Sequence, residues 1–275
     1  MDLFQSIILG ILQGLTEFLP ISSSGHILIL PALLGWEDPG AAFTAVIQLG
    51  TEAAVLIYFR KDLWQIAKAW LASLRRPELR GEINARMGWY LIIATIPISI
   101  LGLGFQDQIE TAARNLWIVG AMLIVFGLIL GLADRIGTRK REVVDLSFRD
   151  GVVIGLAQSL ALIPGVSRSG ATISAGLFLG LNRRAAARFA FLLAIPAVVL
   201  SGFYQLYKLI SGKETFDEPM LNIAVATVVS FVVGYAVIAW LLRYLSSHSM
   251  AIFVWYRVIV GAGVLTLTAA GLISV

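Results

Sequence analysis

Six apolar runs recur along the chain, about Ala41 to Phe59, Gly88 to Phe105, Leu116 to Ala133, Phe189 to Leu206, Met220 to Leu242 and Val258 to Val275. Each is long enough to approach the roughly 20 helical residues that cross a hydrocarbon core. Two further apolar regions, Leu3 to Leu34 and Val152 to Leu181, are broken midway by Pro, Gly and a run of Ser or Ser-Arg-Ser. Irregular backbone survives at membrane depth only where protein buries it or where it lines a polar cavity. Each broken region therefore reads as a re-entrant pair of shorter helices. The pattern predicts an all-α polytopic membrane protein with about six transmembrane helices plus two re-entrant helix pairs.

The two broken regions resemble each other. Displaced by 145 positions, Gly10 pairs with Gly155, Gln13 with Gln158, Leu15 with Leu160, Ser22 with Ser167, Ser24 with Ser169, Gly25 with Gly170 and Gly35 with Gly180. An ungapped match through both helices and the break points to an internal repeat. Three predicted crossings separate the copies, so the second enters from the opposite face. This is the inverted arrangement in which discontinuous helices meet near the midplane. The expectation is a single integral membrane domain over 1–275, with repeat halves of approximately 1–133 and 147–275.

Composition strengthens the membrane reading: 58% of the residues are hydrophobic and 14% charged, against about a quarter charged in soluble domains. The net charge of +4 does not argue for nucleic acid, because the basic residues cluster in short gaps between apolar runs, where orientation explains them. Arg60, Lys61, Lys68, Arg75, Arg76, Arg80 and Arg86 fall in one gap and Arg135, Arg139, Lys140, Arg141 and Arg149 in another. Both gaps lie on the side that the positive-inside rule makes cytoplasmic. The gaps from Gln106 to Asn115 and around Lys208 to Pro219 then face outward. Without cysteine, any chemistry falls to hydroxyl, imidazole or carboxylate groups. The first residues lack the basic region of a secretory signal, so the mature chain is expected to start at or near Met1.

Ionisable groups are costly in apolar stretches and are kept there for a pathway or a site. Glu17, Ser22, Ser23, Ser24 and His26 lie within ten residues of one another. Gln13 and Glu17, four apart, share a helix face, and Pro20 ends that helix. The serines then open the next half-helix, whose free N–H groups favour an anion. The plain alternative is that the serines merely cap that helix and His26 is a satisfied interior histidine; it is favoured for the serines alone, and Glu17 and His26 beside them shift the reading to a site. In the second copy Arg168 replaces Ser23. Its guanidinium demands an anion, either a phosphate or a structural partner such as Glu17. Ser167, Ser169, Gly170 and Thr172 add donors around the same charge. This set suits phosphoryl transfer. Gln48 and Glu52, also four apart, lie in the first span, where they form either a polar stripe or a second carboxylate of the site.

The segments Gln13-Gly-Leu-Thr-Glu-Phe-Leu-Pro-Ile-Ser-Ser-Ser-Gly-His26 and Pro164-Gly-Val-Ser-Arg-Ser-Gly-Ala-Thr172 resemble the motifs of the undecaprenyl-diphosphate phosphatase family, the bacitracin-resistance membrane phosphatases of bacteria. Length and span number fit as well. The resemblance implies hydrolysis of undecaprenyl diphosphate to undecaprenyl phosphate and phosphate in the bacterial cytoplasmic membrane, recycling the carrier lipid of cell-wall synthesis. The site would face the exterior, and a divalent cation, Mg²⁺ or Ca²⁺, would assist. It further implies that Glu17 and Gln13 form the acidic motif and hold the cation. Ser23 would be nucleophile or hydroxyl ligand, His26 acid/base or nucleophile, and Arg168 the diphosphate ligand, helped by Ser22 and Ser167. Gln13 stands where the family often has Glu, Ser24 where Thr is common, and Glu52 matches no family motif. The inverted repeat leaves a polyprenyl-phosphate flippase or transporter as the alternative. The implied partners are the polyprenyl diphosphate lipid and the bilayer, with a homo-oligomer left open.

Overall fold

The computed structural model describes residues 1–105, 108–109, 115–211 and 218–274. Most of the two outward gaps read from the sequence, together with Val275, lies outside them. Eleven α-helices form among the described residues: α1 Leu3–Phe18, α2 Ser23–Leu34, α3 Gly40–Tyr58, α4 Arg60–Arg75, α5 Ile83–Gly104, α6 Leu116–Ile136, α7 Phe148–Ser159, α8 Arg168–Phe178, α9 Arg183–Ile210, α10 Met220–Tyr244 and α11 Ala251–Ala269. Four of them, α5, α6, α10 and α11, are each long and apolar enough to cross a membrane, and the bent α3–α4 pair makes a fifth candidate. The protein is a multi-pass membrane protein.

The broken regions fold as helix pairs. Helix α1 starts at a reciprocal cap, in which Gln5 N–H donates to Asp2 at 2.7 Å and Asp2 N–H to the Gln5 side chain at 3.1 Å. It stops at Phe18, where Leu19 is extended, ψ 141°, the conformation that the following Pro20 favours. Helix α2 ends at Gly35, whose φ of 66° places it in the left-handed region, where glycine carries no Cβ penalty. In the second region a short 3₁₀ turn, Leu160–Leu162, separates α7 from the tip that leads into α8.

Two departures from the sequence reading are informative. The basic gap after the first span contains helix α4, bent 71° from α3. It packs Ile66 and Ser73 against the protein and turns Trp64, Leu71 and Leu74 outward. Its Asp62 pairs with Arg188 of α9. The last helix starts at Ala251, seven residues before the expected Val258, because Arg257 is accommodated inside the protein rather than at its edge. Arg141, read as an orientation signal, also holds the structure together, donating to Asp150 at 2.6 Å and to the Leu179 carbonyl at 2.8 Å.

Helix α1 packs along α10, and α7 along α5. Both contacts are close because glycine removes a side chain at the crossing. A Cβ at Gly10 would stand 2.5 Å from the Ala226 carbonyl oxygen, and one at Gly155 2.5 Å from Ala94 Cα. Such backbone-to-backbone approach is how helices associate in lipid. Gly155→Val is expected to force α7 off α5 and cost about 1–3 kcal/mol of stability, seen as a lowered thermal unfolding midpoint in detergent. An unchanged midpoint would show that the crossing relaxes freely.

Candidate active site

The tips of the two broken regions meet, and their local geometry matches position for position. Ser22 and Ser167 occupy the same uncommon backbone conformation, φ 79° and 73°. Positive φ is rare for a residue with a side chain and marks a place the surroundings enforce. Each caps the half-helix it precedes: Ser22 Oγ accepts from Gly25 N–H at 3.4 Å and Ser167 Oγ from Gly170 N–H at 3.1 Å. Each also contacts the serine two residues on, Ser24 at 3.3 Å and Ser169 at 3.1 Å. Ser169 Oγ then donates to the Leu19 carbonyl of the other tip at 3.0 Å. The N-termini of α2 and α8 are thereby brought to one place, where their dipoles and free N–H groups favour an anion.

Glu17 joins the two copies. Its Oε1 accepts from Arg168 at 2.5 Å. Its Oε2 accepts from the Ser23 hydroxyl at 2.7 Å and from the Gln13 amide at 3.0 Å. The Glu17 side chain is 8% exposed and that of Arg168 18%, so the pair is largely withdrawn from water. A guanidinium presents five N–H donors, and Arg168 can therefore hold an anion without leaving Glu17.

Above this group lies a cavity of about 620 Å³. Its floor is polar, formed by Glu17, Ser22, Ser23, Ser24, Ser167 and Arg168. Its walls are mostly apolar, with Ile98 and Leu103 from α5 and Ala197 and Leu200 from α9. Leu103 and Leu200 are 68% and 53% exposed, so the apolar wall runs out to the protein surface. Gln48 lines the cavity, whereas Glu52, one turn further along α3, is buried against α9, where a Cβ on Gly202 would stand 3.1 Å from its carboxylate.

Other residues singled out from the sequence lie behind the floor. Gln13 is buried and bonded to Glu17. Thr172 donates back to the Arg168 carbonyl of its own helix at 2.8 Å, and Gly170 packs against Arg257. His26 does not line the cavity. Its Nδ1 meets the Ser22 carbonyl at 2.7 Å, its Nε2 meets the Tyr256 hydroxyl at 2.8 Å, and the two rings stack at 5.5 Å. The plain structural reading of Ser22 as a cap and of His26 as a satisfied interior histidine thus describes their contacts. Tyr256 and Arg257 do not stand out in the sequence; a Tyr-Arg pair at the edge of an apolar run resembles interfacial anchoring. Among the described residues no cluster of three or more His, Asp or Glu groups is placed to hold a metal.

Broken helices meeting at a serine-rich, arginine-bearing floor form the candidate site of a multi-pass membrane protein, with an apolar approach. The sequence model of the bacitracin resistance protein BacA family matches residues 6–263, and the chain belongs to that family. It is 57% identical to the undecaprenyl-diphosphatase of a Nocardioides species over 274 residues, covering 99% of both chains. It is 53% identical to that of Pseudarthrobacter chlorophenolicus over the whole of both chains, and 54% identical to that of Thermobifida fusca over all of this chain and 93% of the relative.

Proposed function

We propose that the protein hydrolyses undecaprenyl diphosphate to undecaprenyl phosphate and inorganic phosphate, recycling a lipid carrier of cell-wall synthesis and so conferring bacitracin resistance. One observation carries the mechanism: the Ser23 hydroxyl donates to Glu17 at 2.7 Å while the same carboxylate holds Arg168. A hydroxyl bonded to a carboxylate is an activated nucleophile, and an arginine beside it stabilises charge on a transferring phosphoryl group. Ser23 Oγ attacks the terminal phosphorus and its proton passes to Glu17 Oε2. The bond to the bridging oxygen breaks and polyprenyl phosphate departs. Glu17 passes that proton to the departing phosphate. It then takes one from the water that attacks the phosphoserine and hands it to Ser23 Oγ as inorganic phosphate leaves, so that hydroxyl and carboxylate are both regenerated. Arg168, the half-helix N-termini and Ser22 and Ser167 hold the phosphoryl oxygens throughout. Of the two nucleophiles open from the sequence, this favours Ser23; His26, held by Ser22 and Tyr256, braces the first tip.

The mixed cavity supports a lipid diphosphate, with the polar floor taking the headgroup and the walls of α5 and α9 the start of the tail. Those walls lie toward the helix ends remote from the basic segments, which supports a site facing the exterior of the cytoplasmic membrane. The matched geometry at Ser22 and Ser167 supports two inverted copies. A flippase would use such a repeat as well, but transport does not require a serine activated by a carboxylate. Magnesium typically binds through one or two carboxylates plus substrate phosphates. The cavity lining offers one carboxylate, Glu17, whose oxygens already accept from Arg168, Ser23 and Gln13, so a cation, Mg²⁺ or Ca²⁺, would be held chiefly by the diphosphate itself. Glu17 would be its protein ligand, with Gln13 bonded to that carboxylate from behind, and it would supply neutralisation of diphosphate charge.

The test is phosphate release by purified protein from polyprenyl diphosphate, with acid quenching to trap the intermediate. Label is expected on Ser23. His26→Gln and Tyr256→Phe are expected to keep activity within about tenfold of wild type, the scale of one lost hydrogen bond. Label on histidine would overturn the serine mechanism, and no phosphate release under any cation would overturn the enzyme.

A further inference from the structure

Arg257 is 0% exposed, an unusual state for a guanidinium in any protein. Each hydrogen bond it makes among the described residues goes to a main-chain carbonyl. Nε donates to Leu123 at 3.1 Å and Nη2 to Met122 at 3.3 Å, both on α6. Nη1 donates to Pro20 at 3.0 Å, and Nη2 to Gly165 and Val166 at 2.9 Å each. Pro20 and Gly165 are the positions that correspond under the displacement of 145. One side chain from α11 therefore grips the same carbonyl in both tips and ties both to α6. The neighbourhood is cut to fit it: a Cβ on Gly170 would stand 2.8 Å from Nη1, and one on Gly127 3.1 Å from the Arg257 Cβ.

We infer that Arg257 is a positioning residue for phosphoryl transfer, fixing the two re-entrant tips relative to each other and placing a buried positive charge behind the floor that receives the diphosphate. The inference rests on the phosphatase reading above. Two features point beyond simple stapling. The charge has no carboxylate among its bonded partners, and a buried cation without an anion is costly. It also lies directly behind the start of both half-helices, so its field adds to their dipoles at the spot the substrate anion would occupy. The nucleophile comes from one tip and the phosphate-binding arginine from the other. Their separation is set by whatever holds the tips together, and a displacement near 1 Å at such a site lowers turnover by about 10²-fold.

The experiment compares Arg257→Lys, Arg257→Met and Gly170→Ala with wild type, all in detergent. It measures kcat and KM for undecaprenyl diphosphate, inhibition by inorganic pyrophosphate, and thermal unfolding. Arg257→Lys keeps the charge but cannot reach both tips; it is expected to lose about 10²-fold in kcat with KM changed less than about threefold. Arg257→Met is expected to lose at least as much and also to bind pyrophosphate more weakly, because the field is gone. Gly170→Ala should displace Nη1 and also press on Ser167, whose Cβ would stand 3.2 Å from the added methyl. Its loss in kcat should therefore be smaller in the Arg257→Met background, where no guanidinium remains to displace, than in wild type. If Arg257→Met does not fold, Arg257→Lys and the separate Gly170→Ala variant carry the comparison. A folded Arg257→Lys with wild-type kcat would overturn the inference, as would losses from Gly170→Ala and Arg257→Met that multiply. Failure of the underlying phosphatase reading would show differently, as wild-type protein releasing no phosphate.

Discussion

Phosphate release from undecaprenyl diphosphate is expected to fall by about 10⁴-fold or more in Ser23→Ala, the scale on which loss of a nucleophile acts. The substitution removes one oxygen and leaves the floor otherwise in place: Glu17 keeps its bonds to Arg168 and Gln13, and both tip caps belong to Ser22 and Ser167. Stability and substrate binding should therefore hold while turnover collapses. Ser24→Ala is the internal comparison. Ser24 also lines the cavity but is bonded to Ser22 rather than to a carboxylate, so its loss should cost about tenfold or less. The measurement is steady-state phosphate release paired with thermal unfolding and acid-quench labelling. Ser23→Ala protein retaining more than about a hundredth of wild-type kcat would mean that water, not Ser23, attacks the phosphorus.

The parts of this site legible in the sequence are those carrying charge where lipid forbids it. Glu17 and Arg168 stand out because each interrupts an apolar stretch, and the displacement of 145 places them in equivalent breaks. Their meeting is one of two alternatives, since an arginine at depth can satisfy itself with a phosphate or with a protein carboxylate. The structure shows that the carboxylate contact leaves donors for an anion. Which face His26 presents is not legible: one turn of helix separates it from Ser23, and only the position of α11 turns it toward Tyr256. Arg257 escapes for the opposite reason to Arg168. It stands near the edge of an apolar run, where arginine ordinarily marks the water boundary, and the span accordingly reads as starting after it. Main-chain carbonyls freed by the two broken tips are what accept it, and irregular tips do not declare their carbonyl directions in sequence. Helix α4 is hidden similarly, its apolar positions diluted by the lysines and arginines that mark the cytoplasmic gap.

Glu17→Gln and Arg168→Gln are each expected to lower kcat/KM by about 10³-fold, with the double variant close to either single variant rather than at their product. Glu17 does two things, accepting the Ser23 hydrogen bond and neutralising Arg168. Removing it leaves a largely buried guanidinium without its partner, and removing Arg168 leaves a largely buried carboxylate without its cation. Either loss alone carries the penalty of an unpaired charge, and the double variant escapes that part. Residues that act as one unit give such non-additive losses. Arg168→Lys should behave more like Arg168→Gln than like wild type, because a single ammonium cannot hold Glu17 and a phosphoryl oxygen in a fixed fork. The cycle is read from phosphate release on matched preparations, and a coupling of about 10³-fold corresponds to about 4 kcal/mol. Losses that multiply to about 10⁶-fold would show that Glu17 and Arg168 act on the substrate independently, and the shared carboxylate would then have no place in the chemistry.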